Sequence, residues 1–356
     1  MRKLILCLLC GLLLAAGNNA VFAKGKTAGV WSLEKAQKWS AGRDWVRGCN
    51  FIPSTAINQI EMWQAESFDP QTIDKELGWA QELGFNTMRV FLSSVVFEAD
   101  PKGMLNRMDQ YLKISNSHGI KTMFCFFDDC WNAESFLGKQ PEPKIGIHNS
   151  GWLRDPSVSL RKDTVTLYPK LEKYVTAVLT RFKNDDRVLL WDLYNEPGNN
   201  GHGITSLPLL KKVFSWGRAV NPSQPLTAGI WYFDVPELNL FQAQNSDVFT
   251  YHNYANKDEH EKAIRFYKLL GRPMICSEYM ARKHQSTFES IMPILKKDNI
   301  GAINWGFVSG KTNTIHAWDE PRPQGGEPAL WFHDIYRTDK TPFSQAEIDF
   351  LKGINK

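Results

Sequence analysis

Apolar positions along this chain come in short runs that alternate with stretches of helical spacing. Eight runs read as strands: DWVRGCNF at 44–51, FNTMRVFL at 85–92, IKTMFCFF at 120–127, RVLLWDLY at 187–194, PLTAGIWY at 225–232, SDVFTYHNY at 246–254, RPMICSEY at 272–279 and IGAINWGF at 300–307. They are largely apolar throughout rather than alternating, which marks strands covered on both faces, as in a parallel sheet. Between them, LYPKLEKYVTAVLTRF places Leu167, Leu171, Tyr174, Val175, Val178, Leu179 and Phe182 at three- and four-residue spacing and predicts a helix. Further helices are expected from near Gln71, Gly103, Leu207, His260 and Ser286, and beyond Ser344. Eight strand-helix units in 356 residues predict an α/β fold, a single closed (β/α)8 TIM barrel. Segments 126–165 and 306–335, after strands 3 and 8, are too long for ordinary turns and carry Trp131, Trp152, Trp318 and Trp331, so enlarged loops walling a cleft are expected there.

A doubly wound open sheet is the rival architecture, and it would need a glycine-rich first turn for a nucleotide. The one candidate, GNNGHG at 198–203, follows the fourth strand and lacks the G-x-G-x-x-G order, so the dinucleotide reading fails. A hydrophobic content of 43% with 13 Trp supports a large core and excludes a disordered chain. The formal net charge of +4, part of it on Arg2 and Lys3, calls for neither nucleic acid nor an anionic membrane as partner.

The start of the chain, MRKLILCLLCGLLLAAGNNAVFAKG, has a basic tip, an apolar run from Leu4 to Ala16 and small or aliphatic residues at Val21 and Ala23. The run is short for a bilayer span, so a signal peptide over 1–23, cleaved after Ala23, is expected, with a catalytic domain over 24–356. Cys7, Leu8 and Leu9 make Cys10 a poor lipoprotein site. The expectation is a bacterial periplasmic or secreted monomer, free of the membrane after cleavage. Cys49, Cys125, Cys130 and Cys276 remain; three sit in apolar runs, with no CxxC or Cys/His spacing, so free buried thiols, no metal and no cofactor are expected.

Barrel enzymes carry their chemistry at the C-terminal tips of the strands. The tips here read Arg89, then Asp128 and Asp129 with Trp131, then Asn195 and Glu196, then Trp231, then His252 and Tyr254, then Glu278, then Trp305. Tips four and seven face each other across a closed ring, so Glu196 and Glu278 form a carboxylate pair. Asn195 and Glu196 are neighbours and would point to opposite faces of a regular strand. Both reach one site only if the strand ends or bulges there, which Pro197 supports. Each residue also has a structural reading: a solvated acid for the glutamates, an ion pair for Arg89, core polar groups for His252 and Tyr254, loop caps for Asp128 and Asp129, and packing for the tryptophans.

LYNEPGN, CSEYM, TMRVF, YHNY and INWGF, each at its strand tip, together resemble the barrel glycosidases of clan GH-A, most closely glycoside hydrolase family 5, the cellulase and mannanase family. The resemblance implies that Glu196 is the acid/base and Glu278 the nucleophile of a two-step retaining β-glycoside hydrolase. It implies that Asn195 bonds the sugar 2-hydroxyl, that Arg89 stands beside the nucleophile, that His252 and Tyr254 support the site, and that Trp305 lies under the bound sugar. Many members carry a His at the end of strand 3 where this chain has FDDCW, so Asp128 or Asp129 is a possible subsite residue; Trp131 and Trp231 are possible subsite residues through stacking on sugar rings. Arg89 is expected to favour the Glu278 anion while Glu196 stays protonated. The substrate implied is a β-linked carbohydrate of the glucan, mannan or xylan kind, with internal cleavage favoured. A non-catalytic carbohydrate-binding relative and a transglycosidase using the same residues are the alternatives.

Overall fold

The computed structural model describes residues 29–356, so the expected leader lies outside the described residues. Each of the eight strands falls inside its predicted window: β1 (Arg47–Asn50), β2 (Thr87–Phe91), β3 (Lys121–Cys125), β4 (Val188–Asp192), β5 (Leu226–Thr227), β6 (Phe249–His252), β7 (Met274–Glu278) and β8 (Gly301–Asn304). They run in the order β5-β4-β3-β2-β1-β8-β7-β6, and every ladder is parallel. The ends of this sheet meet through an Ile230–Tyr251 bridge and an Asp247 N–H donating to the Leu226 carbonyl at 2.8 Å. The ring is thereby nearly closed, and the architecture is a (β/α)8 barrel.

Inside the barrel, Met123, Leu190, Val248, Ile275 and Ile303 pack as an apolar plug toward the N-terminal end. Outside, the helices lay their apolar stripes on the strands. In the helix Thr164–Phe182 the buried positions are the seven that the spacing predicted, and Asp163 caps its start by accepting from the Thr166 N–H. Among the described residues, four helices were not legible in the pattern: Leu33–Ala41, Gln59–Trp63, Ser94–Ala99 and Pro236–Asn245. The second and third are too short to show a period. In the last, the buried face carries Asn239, Gln242 and Asn245, so no apolar stripe marks it. Gln242 and Asn239 donate instead to the carbonyls of Gly229 and Tyr232, pinning the connection after β5.

The connections at the C-terminal rim position the site. From β3 the chain runs without helix or strand to Leu160, and from β8 to Gln345. Cys49, Cys125, Cys130 and Cys276 are free and buried. Among the described residues, no helix is long and apolar enough to cross a membrane.

Candidate active site

Two local departures from regular strand geometry bring the site together. β4 stops at Asp192, and Glu196 takes a left-handed backbone conformation with φ +43°, uncommon for a residue with a side chain. The chain therefore turns where a strand would have sent Asn195 and Glu196 to opposite faces, and both line one cavity. In β7, Tyr251 pairs with Cys276 but His252 pairs with Glu278, so Ser277 is an extra residue and the ladder shifts. Such a bulge re-aims the side chain that follows it, here Glu278.

The hub is Arg89, fully buried on β2. Its Nε and Nη2 donate to Asp192 Oδ2 at 2.9 and 2.7 Å, Nη1 to Asn50 Oδ1 at 2.8 Å and to Glu278 Oε1 at 2.7 Å, and Nη2 to Asn195 Oδ1 at 2.7 Å. All five N–H donors of the guanidinium are used, so the side chain has one orientation. It fixes Glu278 and Asn195 relative to each other.

The other Glu278 oxygen accepts from the Tyr254 hydroxyl at 2.8 Å. His252 Nδ1 lies between the two glutamates, 2.8 Å from Glu196 Oε1 and 3.4 Å from Glu278 Oε2. Burial lowers this imidazole to about 4, so it is neutral at pH 7 and neither carboxylate faces a histidine cation. Glu196 Oε2 is met by the Cys130 thiol at 3.2 Å and the Asn199 amide at 2.5 Å.

Burial raises the pKa of both carboxyls. On Glu278 it is opposed at contact distance by a guanidinium and a phenol, whereas the groups touching Glu196 are a thiol, an amide and a neutral imidazole. Direct ion pairing stabilises an anion more than neutral donors do. At contact distance Glu278 therefore has a cation, and Glu196 has none.

The cavity has a volume of about 810 Å³. It is lined by Glu196, Glu278, Asn195, His252 and Tyr254, by Asp128, and by Trp131, Trp231 and Trp305. Asp128 is nonetheless committed to the protein: it accepts from the Asn195 amide at 2.9 Å, Trp152 Nε1 at 2.7 Å and the Cys130 N–H at 2.8 Å. Burial pushes it up to about 7 against those donors. Asp129 is the expected subsite residue that the structure sends elsewhere. As the next residue on an extended chain it points away from the cavity, ion-paired with Arg161 and accepting from Tyr194 Oη, the Gly198 N–H and Ser206 Oγ.

Asp192, Asn50, Cys130 and Asn199 were missed by sequence reasoning. For Asp192 a signal existed: a lone acid among the apolar residues of RVLLWDLY requires a buried partner. Glu196, His252 and Glu278 also bring donor atoms within 4.8 Å of one another, a spacing that could hold a metal ion. The Arg89 cation already on Glu278 disfavours a second positive charge there.

Fold and site together define the class, a parallel barrel enzyme with a paired-carboxylate cleft at the C-terminal rim. The model of the cellulase family, glycosyl hydrolase family 5, matches residues 48–310, and the chain belongs to that family of glycoside hydrolases. Solved structures with the same fold include an exo-β-1,4-mannosidase from Opitutaceae bacterium strain TAV5, with TM-score 0.60 and 17% identity over 88% of this chain and 59% of that one. A mannosidase of family 5 from Rhizomucor miehei has TM-score 0.57 and 14% identity, covering 87% and 92%. The endo-1,4-β-D-mannanase of Thermotoga petrophila RKU-1 has TM-score 0.55 and 14% identity, covering 87% and 99%. No curated protein matches in sequence.

Proposed function

We propose that this protein hydrolyses β-glycosidic bonds of a glucan-, mannan- or xylan-type carbohydrate with net retention of anomeric configuration. The observation that carries the reading is the pair itself: Glu196 and Glu278 present oxygens within 4.8 Å of each other across the cavity. A retaining pair stands about 5–5.5 Å apart, while an inverting pair needs about 6.5–9.5 Å to admit water. Glu278, held as the anion by Arg89, attacks the anomeric carbon from the face opposite the leaving oxygen, and Glu196 gives that oxygen its proton. The glycosyl ester neutralises Glu278, which lowers the cost of a charge on Glu196. Glu196 then takes a proton from water as the water displaces the ester and restores both residues. NMR of the first products from an aryl β-glucoside, β-mannoside or β-xyloside should show the β-anomer; initial release of the α-anomer would rule out the two-step course.

The pH profile follows from the same contacts. Glu278 must be ionised and Glu196 protonated, so kcat/KM is bell-shaped, with both limbs belonging to the coupled pair. The groups facing Glu278 are Arg89, Tyr254, His252 and Glu196. Tyr254→Phe removes a donor that favours the Glu278 anion, so its carboxyl holds its proton to higher pH and the acid limb moves up. A limb that stays in place in the Tyr254→Phe variant would show that the hydroxyl does not act on the nucleophile.

A further inference from the structure

The cavity is strongly one-sided. Around the ring, the connections after β1 (51–58) and β2 (92–93) contribute no residue to its lining, although they lie between β8 and β3. They are roofed over. The long connections after β3 and β8 lock together above them: the Asn149 N–H donates to the Thr312 carbonyl at 2.8 Å, the Arg322 N–H to the Gly146 carbonyl at 2.9 Å and the Asn313 amide to the Lys144 carbonyl at 2.9 Å, while His148 Nδ1 meets the His316 carbonyl at 2.8 Å. The fit at Gly146 is close enough that a Cβ would lie 1.8 Å from the Arg322 carbonyl oxygen. The roof is also tied downward, by Lys311 N–H to the Ser54 carbonyl at 3.1 Å and by the Gln59 amide to the Leu153 carbonyl at 2.6 Å.

This wall reaches the catalytic groups. Trp318 stands edge-on to Tyr254, ring centroids 4.9 Å apart, and Tyr254 is bonded to Glu278. Trp152 touches Trp305 at 5.6 Å, and Trp131 packs on His148 at 5.3 Å. On the opposite side the cavity continues past Glu196 along Trp231, Tyr232 and Phe233, the last two 47% and 39% exposed. Trp231 Nε1 donates to the Pro197 carbonyl, next to Glu196, at 3.1 Å.

On the hydrolase reading above, the polarity of the substrate follows. Asn195, which the family resemblance assigns to the sugar 2-hydroxyl, is held by Arg89 of β2 and by Asp128 beyond β3, and Trp305 follows β8, so the glycone lies on the walled side. The leaving group lies on the open aromatic side. We propose that the enzyme is exo-acting, removing one sugar at a time from the non-reducing end of a β-linked oligosaccharide, because the interlocked connections after β3 and β8 close the cleft on the glycone side. This departs from the internal cleavage that the sequence favoured.

The test uses the mature enzyme and hexasaccharides of β-1,4-glucan, β-1,4-mannan and β-1,4-xylan labelled at the reducing end. The first products expected are free monosaccharide and labelled pentasaccharide. Labelled di- or trisaccharide appearing before the pentasaccharide overturns the proposal, as does turnover of aryl glycosides with every hexasaccharide left intact. Methylating the 4-hydroxyl of the non-reducing terminal sugar drives that sugar against the wall, and a slowing of about 100-fold is expected from such misplacement. Unchanged cleavage of the methylated hexasaccharide equally overturns it. If neither aryl glycosides nor hexasaccharides react, the hydrolase reading itself falls, which is a different result from internal cleavage.

Discussion

Replacing Glu278 by alanine is expected to depress turnover by about 10⁴- to 10⁶-fold on every substrate, the scale on which an integrated catalytic unit fails when its nucleophile is lost. No covalent intermediate forms without that carboxylate, and leaving-group quality does not compensate. Glu196→Ala should behave differently. Sugars with poor leaving groups lose about 10²- to 10⁴-fold, the usual contribution of a positioned acid, while an activated aryl glycoside still completes the first step and stalls as a glycosyl-enzyme. Azide distinguishes the two variants by stereochemistry. In Glu196→Ala it attacks the α-linked glycosyl ester and yields the β-glycosyl azide. In Glu278→Ala it enters the space of the missing carboxylate, displaces the β-linked leaving group directly and yields the α-azide. NMR of the azide products reads the outcome; exchanged configurations would exchange the two roles, and undiminished turnover in both variants would end the glycosidase reading.

The second large effect is on stability. Arg89→Met leaves Asp192, which is fully buried, and Glu278, 4% exposed, without their shared cation, and leaves Asn50 and Asn195 without its N–H donors. Removing one partner of a buried ion pair costs about 3–5 kcal/mol, because the remaining charge is uncompensated. Urea unfolding at pH 7 should show a loss on that scale. Adding Asp192→Asn to Arg89→Met should recover part of it, since one orphaned charge is then gone and the two sites are coupled. A variant within about 1 kcal/mol of the native protein would mean that Arg89 behaves like an exposed ion pair rather than a buried hub.

These two experiments probe parts of the molecule that were legible to different degrees. The strands were readable because a parallel barrel covers each one on both sides, so every strand is an apolar run, and eight runs separated by helical spacing leave few architectures open. The carboxylate pair was readable for a related reason: an acid at the end of an apolar run stands out, and ring closure brings tips four and seven to face each other. Asp128 and Asp129 show where such reading stops. They are chemically identical neighbours, yet one lines the cavity and the other is ion-paired with Arg161 beneath it, because consecutive side chains of an extended segment point apart.

By itself, then, the sequence determined the barrel, its family resemblance, and the residues at its rim, since each of those is written in local periodicity or in a short motif. Only the tertiary structure decided how the rim residues are used. The convergence of Asp192, Asn50, Asn195 and Glu278 on Arg89 joins side chains from separate strands, and no local pattern encodes which of them will share one guanidinium. The bulge at Ser277 and the left-handed turn at Glu196 arise from how strand ends meet their neighbours. The seam between 126–159 and 305–344 joins two segments without periodicity, partly through backbone hydrogen bonds that any residue can make and partly through the Asn313 amide and the His148 ring, so no local pattern marks its place in the ring or the closed side of the cleft.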